Sequence, residues 1–126
     1  MDESRPIFQQ IAEQIENDII SGALPEETQV PSTNEFAAFH RINPATAGKG
    51  VNLLVDEGIL YKKRGIGMFV AEGARARLVA QRRDQFQSQY LAPLLAEATK
   101  LGISPDEVAG MIQTTQSTTT RKAGAR

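Results

Sequence analysis

The chain has no cysteine, no tryptophan and a single histidine, and its 14 lysines and arginines are matched by 15 acidic residues over 126 positions. Without cysteine there is no disulfide, no thiolate nucleophile and no zinc finger, and one histidine is too few for a protein-only metal site. No stretch approaches the roughly 18 apolar residues that cross a bilayer. Met1-Asp2-Glu3-Ser4 also lacks the basic start and apolar run of a signal peptide. A cytoplasmic location with no membrane attachment is therefore expected. Nucleophile and base are missing at any useful spacing, and the adjacent carboxylates Asp56 and Glu57 read as a solvated helix end rather than an acid-base pair. The expectation is a protein that is not an enzyme and carries no cofactor.

What is present is a charge pattern hidden by the average. Residues 1–73 hold 6 basic residues against 11 acidic ones, and residues 74–126 hold 8 against 4, which together make up the totals for the chain. In the first part the bases come mostly late, at Arg41, Lys49, Lys62, Lys63 and Arg64, and most acids lie in the first helix and the loop after it. DNA affinity depends on local phosphate contacts, so such a stripe can suffice. A solvated face of no consequence is the alternative reading of the same residues.

Local signals then order the chain. After Pro6, residues Ile7, Phe8, Ile11, Ile15, Ile19 and Ile20 recur at helical spacing and Gly22 closes the helix. Leu24-Pro25-Glu26-Glu27-Thr28 is a turn, and Gln29-Val30 an extended piece kept out of helix by Pro31. Ser32-Thr33-Asn34-Glu35 is a capping box opening a short helix that turns Phe36, Ala37 and Phe39 inward and ends near His40. Asn43 caps the next helix with Pro44 in its first turn, Val51, Leu54 and Val55 face the core, and Gly58 terminates it. Ile59-Leu60-Tyr61 and Met68-Phe69-Val70 are two strands joined by a basic, glycine-bearing turn. The order predicts a mainly α fold with a small β-wing, a winged helix-turn-helix over residues 1–73.

From Ala74 the period is helical again. Leu78, Val79, Phe86, Tyr90, Leu91, Leu94, Leu95, Ala98 and Leu101 form an apolar stripe, which Pro93 should kink or break. Ser104-Pro105-Asp106-Glu107 caps a further helix carrying Val108, Met111 and Ile112, so residues 74–113 read as a C-terminal helical hairpin. Residues 114–126 have nothing to bury and are expected to be a disordered tail.

The residue types at the helix-turn-helix suit DNA. Its second helix lies in the major groove and its first turns face bases and phosphates. Here those turns carry Asn43, Ala45, Thr46 and Lys49, and the preceding helix start offers Ser32, Thr33 and Asn34. Arg41 lies at the turn between the helices, within reach of phosphate, whereas His40 beside it is better read as a packing residue. In the wing, Lys63 and Arg64 sit beside Gly65 and Gly67, whose freedom permits a tight tip that can enter the minor groove. Gly48 and Gly50 inside the second helix cost about 1 kcal/mol each relative to alanine. Either something approaches the backbone there, or the helix packs closely on the first one, or the glycines are merely tolerated.

Pro6-Ile7, Gly22 with Leu24-Pro25, Pro31-Ser32 with Glu35, Asn43-Pro44 with Thr46, Glu57-Gly58-Ile59 and Arg64-Gly65-Ile66-Gly67-Met68-Phe69-Val70 together resemble the gluconate-repressor (GntR) family of bacterial transcription factors over roughly residues 5–71. The asparagine-proline opening and the short C-terminal hairpin are most similar to its YtrA-type subfamily, which implies a homodimeric repressor. Asn34 stands where the family usually has arginine, Lys49 where arginine is frequent, and Gly48 and Gly50 where larger residues are found. Lysine lacks the planar fork that reads guanine with two bonds.

A homodimer answers two difficulties, the weak DNA binding expected of one winged domain with so few basic residues and the uncovered apolar stripe after it. The stripe of Leu78, Phe86, Tyr90, Leu91, Leu94, Leu95 and Leu101, with Met111 from the last helix, is too long to be buried by one short helix; paired hairpins would cover it and place two recognition helices on a palindromic operator in double-stranded DNA. The alternative is that the stripe folds back as ordinary core. A protein-interaction adaptor without DNA binding is the rival function, supported by the acidic balance of residues 1–73. Nothing indicates a small-molecule effector, for which only the hinge or the dimer interface would have room.

Overall fold

A computed structural model of the chain describes residues 4–124, with side chains as far as residue 116. The chain divides into two compact units, residues 1–81 and 82–126. Among the described residues no helix is long and apolar enough to cross a membrane.

In the first unit, α1 (Ile7–Ser21) starts directly after Pro6 and ends at Gly22, whose φ of 91° lets its N–H return to the Ile19 carbonyl. Ile11, Ala12, Ile15 and Ile19 are its buried face. α2 (Thr33–His40) begins with the expected capping box: Ser32 Oγ accepts from the Glu35 N–H at 3.1 Å, and the Glu35 carboxylate accepts from the Ser32 N–H at 3.3 Å. α3 (Pro44–Asp56) is capped by Asn43 and buries Ala47, Gly50, Val51 and Leu54, with Val55 only partly covered. β1 (Leu60–Lys63) and β2 (Gly67–Val70) pair antiparallel, Leu60 opposite Val70 and Lys63 opposite Gly67. The extended piece before Pro31 joins this ribbon on its other side. Val30 N–H donates to the Met68 carbonyl, Val70 N–H to Thr28, and Glu27 N–H to Val70.

The two glycines of α3 have different causes. A Cβ at position 50 would stand 2.6 Å from the Phe8 carbonyl oxygen and 3.1 Å from Ile11, so α1 and α3 meet there backbone to backbone. At position 48 a Cβ would make only ordinary contact, 3.5 Å from the Thr33 methyl. Gly48→Ala is accordingly expected to stabilise the protein by about 0.5–1 kcal/mol through helix propensity. A rise of several degrees in the thermal midpoint checks it, and a fall would mean that position 48 has a steric role.

α4 (Ala74–Phe86) starts in the first unit and belongs to its core. Ala74 and Leu78 are buried with Ile59, Leu60 and Val70. Arg75 Nε donates to the Ile20 carbonyl at 2.9 Å, and the Arg77 guanidinium donates to the Glu57 and Gly58 carbonyls at 2.8 and 3.1 Å. These carbonyls end α1 and α3, where unpaired oxygens form the negative pole of each helix. The first compact unit runs through Gln81. Leu78, expected in the dimerisation stripe, is instead 1% exposed inside this core, because the helix start that carries it is held down by the two arginines.

In the second unit, a π-helical turn (Gln87–Leu91) leads into α5 (Ala92–Lys100), with the Ala92 N–H bonded to the Gln87 carbonyl five residues back. Pro93 lies in the first turn of α5. Its ring would collide with the carbonyl four residues earlier in an α-helix, and the widened turn relieves that collision without breaking the helix. Gly102 reverses the chain and Ser104 Oγ caps α6 (Pro105–Gly124) by accepting from the Glu107 N–H at 3.1 Å. α6 differs from the expected irregular tail. Residues 114–124 continue the helix, since extending a nucleated helix costs far less than starting one. Residues 125 and 126 of that expected tail lie outside the described residues.

Candidate nucleic-acid interface

The residues expected to meet DNA come from three places on the first unit, and their local chemistry decides what each has free. Asn43 Oδ1 accepts from the Ala45 N–H at 2.7 Å, so its oxygen is used as the α3 cap and its amide N–H groups are what it offers a ligand. Ala45 is exposed and Thr46 half-buried on the first turn of α3. Lys49 is exposed but its ammonium rests over the Phe8 ring, 4.2 Å from the centroid. An open cleft of about 580 Å³ follows this outer face, and Ala45, Gly48, Lys49 and Asn52 line it with Phe8. Asn52 is a candidate that motif reading missed; its spacing from Ala45 and Lys49 is the signal that identifies it.

At the start of α2, Ser32 is engaged in the capping box, Thr33 is half-buried and Asn34 exposed. The wing comes to meet this helix start. Ser32 and Thr33 share a cleft of about 450 Å³ with Lys62, Lys63, Arg64, Gly65 and Gly67. The tip turns through Arg64-Gly65-Ile66, with Gly65 at a φ of 77° and the Ile66 N–H bonded to the Lys63 carbonyl at 2.9 Å. Lys63, like Lys49, lies over a ring: its ammonium is 4.4 Å from the Phe69 centroid. Arg64 is exposed at the tip with no side-chain partner among the described residues. Like Arg41 and Lys62, it is a cation directly available to phosphate or to a groove.

Arg41 closes α2 in the left-handed conformation, φ 56°, and its side chain is exposed beside the α3 start. His40 packs as a bland residue should, its ring 4.4 Å from that of Phe36 and 4.9 Å from that of Phe39, although Phe39, expected to face inward, is 82% exposed. Sequence reasoning also missed the supports of the wing. The Tyr61 hydroxyl on β1 donates to the Glu27 carboxylate at 2.6 Å, and that bond holds the phenol above its ordinary pKa because ionisation would abolish it. Glu27 itself has a left-handed φ of 65°. Tyr61 stacks on Phe69 and so braces the hairpin from which Arg64 projects.

Residues 7–70 match the family of bacterial regulatory proteins named gntR. The HTH-type transcriptional repressor YtrA of Bacillus subtilis is 30% identical over 105 residues, which are 83% of this chain and 80% of that protein. A GntR family transcriptional regulator from Listeria monocytogenes is similar in structure, with a TM-score of 0.73 at 25% identity, covering 90% of this chain and 98% of that one. The DNA-binding domain of AraR, solved in complex with the operator ORX1, superposes with a TM-score of 0.52 at 30% identity over 56% of this chain and 87% of its own.

Proposed function

Because this chain belongs to the gntR family of bacterial regulatory proteins, and is a DNA-binding transcriptional regulator and not an enzyme, we propose that it acts as a homodimeric repressor on a palindromic operator. The observation that carries the dimer is the second unit. Among the described residues Ala98 and Val108 are its buried apolar ones, while Phe86, Tyr90, Leu91, Leu94, Leu95, Leu101 and Met111 are exposed, Tyr90 by 65% and Leu101 by 63%. So small a unit cannot offset its ordering entropy with so little buried surface. A second copy covers the face, and a two-fold contact presents two reading heads to an inverted repeat. Met111 supplies α6 to that face and Leu94 supplies α5.

On each half-site the first turns of α3 enter the major groove, with Thr46, Lys49 and the Asn43 amide toward bases and phosphates and Ala45 against the groove wall. Ser32, Thr33 and Asn34 face the backbone from the α2 start, Arg41 from the turn, and Lys63 and Arg64 carry the wing to the minor groove beside Gly65 and Gly67. Repression follows from occupancy of a promoter, and the similar protein YtrA is named a repressor.

Selection of bound fragments from a random duplex pool, with Lys49→Ala plus Arg64→Ala in parallel, is the test. The wild type is expected to enrich an inverted repeat to which the double variant binds roughly thirtyfold less tightly. Enrichment no better than the variant's background would sink this reading and favour an adaptor role.

A further inference from the structure

The aim of the wing tip is set from outside the wing. The Gln29 side-chain amide donates to the Ile66 carbonyl at 3.0 Å, across 37 residues of sequence. It does so over Gly67, where a Cβ would stand 2.5 Å from Gln29 Nε2, so glycine at 67 leaves that seat open. The Gln29 backbone is bridged to Phe69, and one residue beyond it Pro31-Ser32 lead into α2, with Ser32 as its cap. One short segment thus ties the tip to the helix start that faces the same cleft. Ile66 itself is 63% exposed, an apolar side chain at the point of a basic hairpin. It lies between two glycines with positive φ, which on their own leave such a turn free to swing.

We propose that Gln29 is a positioning residue for DNA recognition: it touches no DNA, but by holding the Ile66 carbonyl it aims the Ile66 side chain at the minor groove. An apolar side chain there packs against sugar edges or wedges at a base step, and it gains from that contact only if its ordering has been met beforehand. This rests on the proposed reading that the wing meets DNA. It adds that the wing reads through Ile66 as well as Arg64, and that the α1–α2 connection keeps it in register.

The test is a double-mutant cycle in the full chain, by fluorescence anisotropy on the selected duplex, with Gln29→Leu, Ile66→Ala and the double variant. Each single change is expected to weaken binding roughly fivefold. The double should be no weaker than Ile66→Ala alone, because an unaimed tip and a tip without its side chain lose the same contact. Thermal midpoints should stay within about 2 °C, Gln29 and Ile66 being exposed. Gln29→Glu, which sets a carboxylate against the carbonyl, should reproduce the loss and stands in if Gln29→Leu does not fold. Losses that multiply in the double variant, or full affinity in both Gln29 variants, overturn the inference. If Arg64→Ala weakens binding while the Gln29 variants do not, this inference alone falls. If Arg64→Ala is also without effect, the wing's contact with DNA falls with it.

Discussion

Gly50→Ala is expected to destabilise the winged unit by about 3 kcal/mol, a large share of the roughly 5–15 kcal/mol that holds a domain folded. The added methyl has no room to turn aside, since it meets the Phe8 carbonyl oxygen of the α1 backbone rather than the end of a flexible side chain. Relief requires α1 and α3 to part along the contact that also buries Ile11, Ala47 and Leu54. The thermal midpoint should fall by roughly 15 °C. Gly48→Ala, two residues earlier on the same helix, is the internal control with the opposite sign. A midpoint for Gly50→Ala equal to that of Gly48→Ala would show that the close approach of α1 and α3 is not what position 50 serves.

The second large effect concerns assembly. Leu94→Asp with Met111→Asp is expected to halve the mass seen by sedimentation and to weaken operator binding about a hundredfold or more. Both changes place a carboxylate on the uncovered face of the second unit. Burying either charge against a second copy costs several kcal/mol, and the loss of tethering removes the avidity of two linked half-sites. Because neither residue lies in the winged unit, a single half-site should still be bound at its own weak affinity. Unchanged mass with unchanged affinity would mean that this face serves something other than a second copy.

The parts of this fold legible in the sequence were those governed by hydrogen bonds over two to four residues. The Ser32–Glu35 box, the Asn43 cap and the reversal at Gly102 are such devices, and each appears where its residues require it. Contacts made across many residues were not legible. Gly48 and Gly50 look alike in sequence, and only the course of α1 separates them. Arg75 and Arg77 read as surface charge until the ends of α1 and α3 are brought beneath them. Leu78 fitted a helical stripe shared with Phe86, yet its helix start is core of the first unit. The candidate interface divides the same way: its places on α2, α3 and the wing follow from local pattern, while the engagement of Lys49 and Lys63 with rings, and the hydrogen bonds of Gln29 and Glu27, depend on neighbours distant in sequence.

Those engaged cations bear on how the protein shares itself across a chromosome. Attachment to random DNA is driven by the counterions that free lysines and arginines displace from phosphate, and it falls steeply as such groups become fewer. Here Lys49 and Lys63 lie over aromatic rings, Arg75 and Arg77 are spent on helix ends, and the first 73 residues carry more acid than base. Attachment to random DNA is accordingly expected to be weaker than it would be with all of these cations free, and to rest chiefly on exposed groups such as Arg41, Lys62 and Arg64.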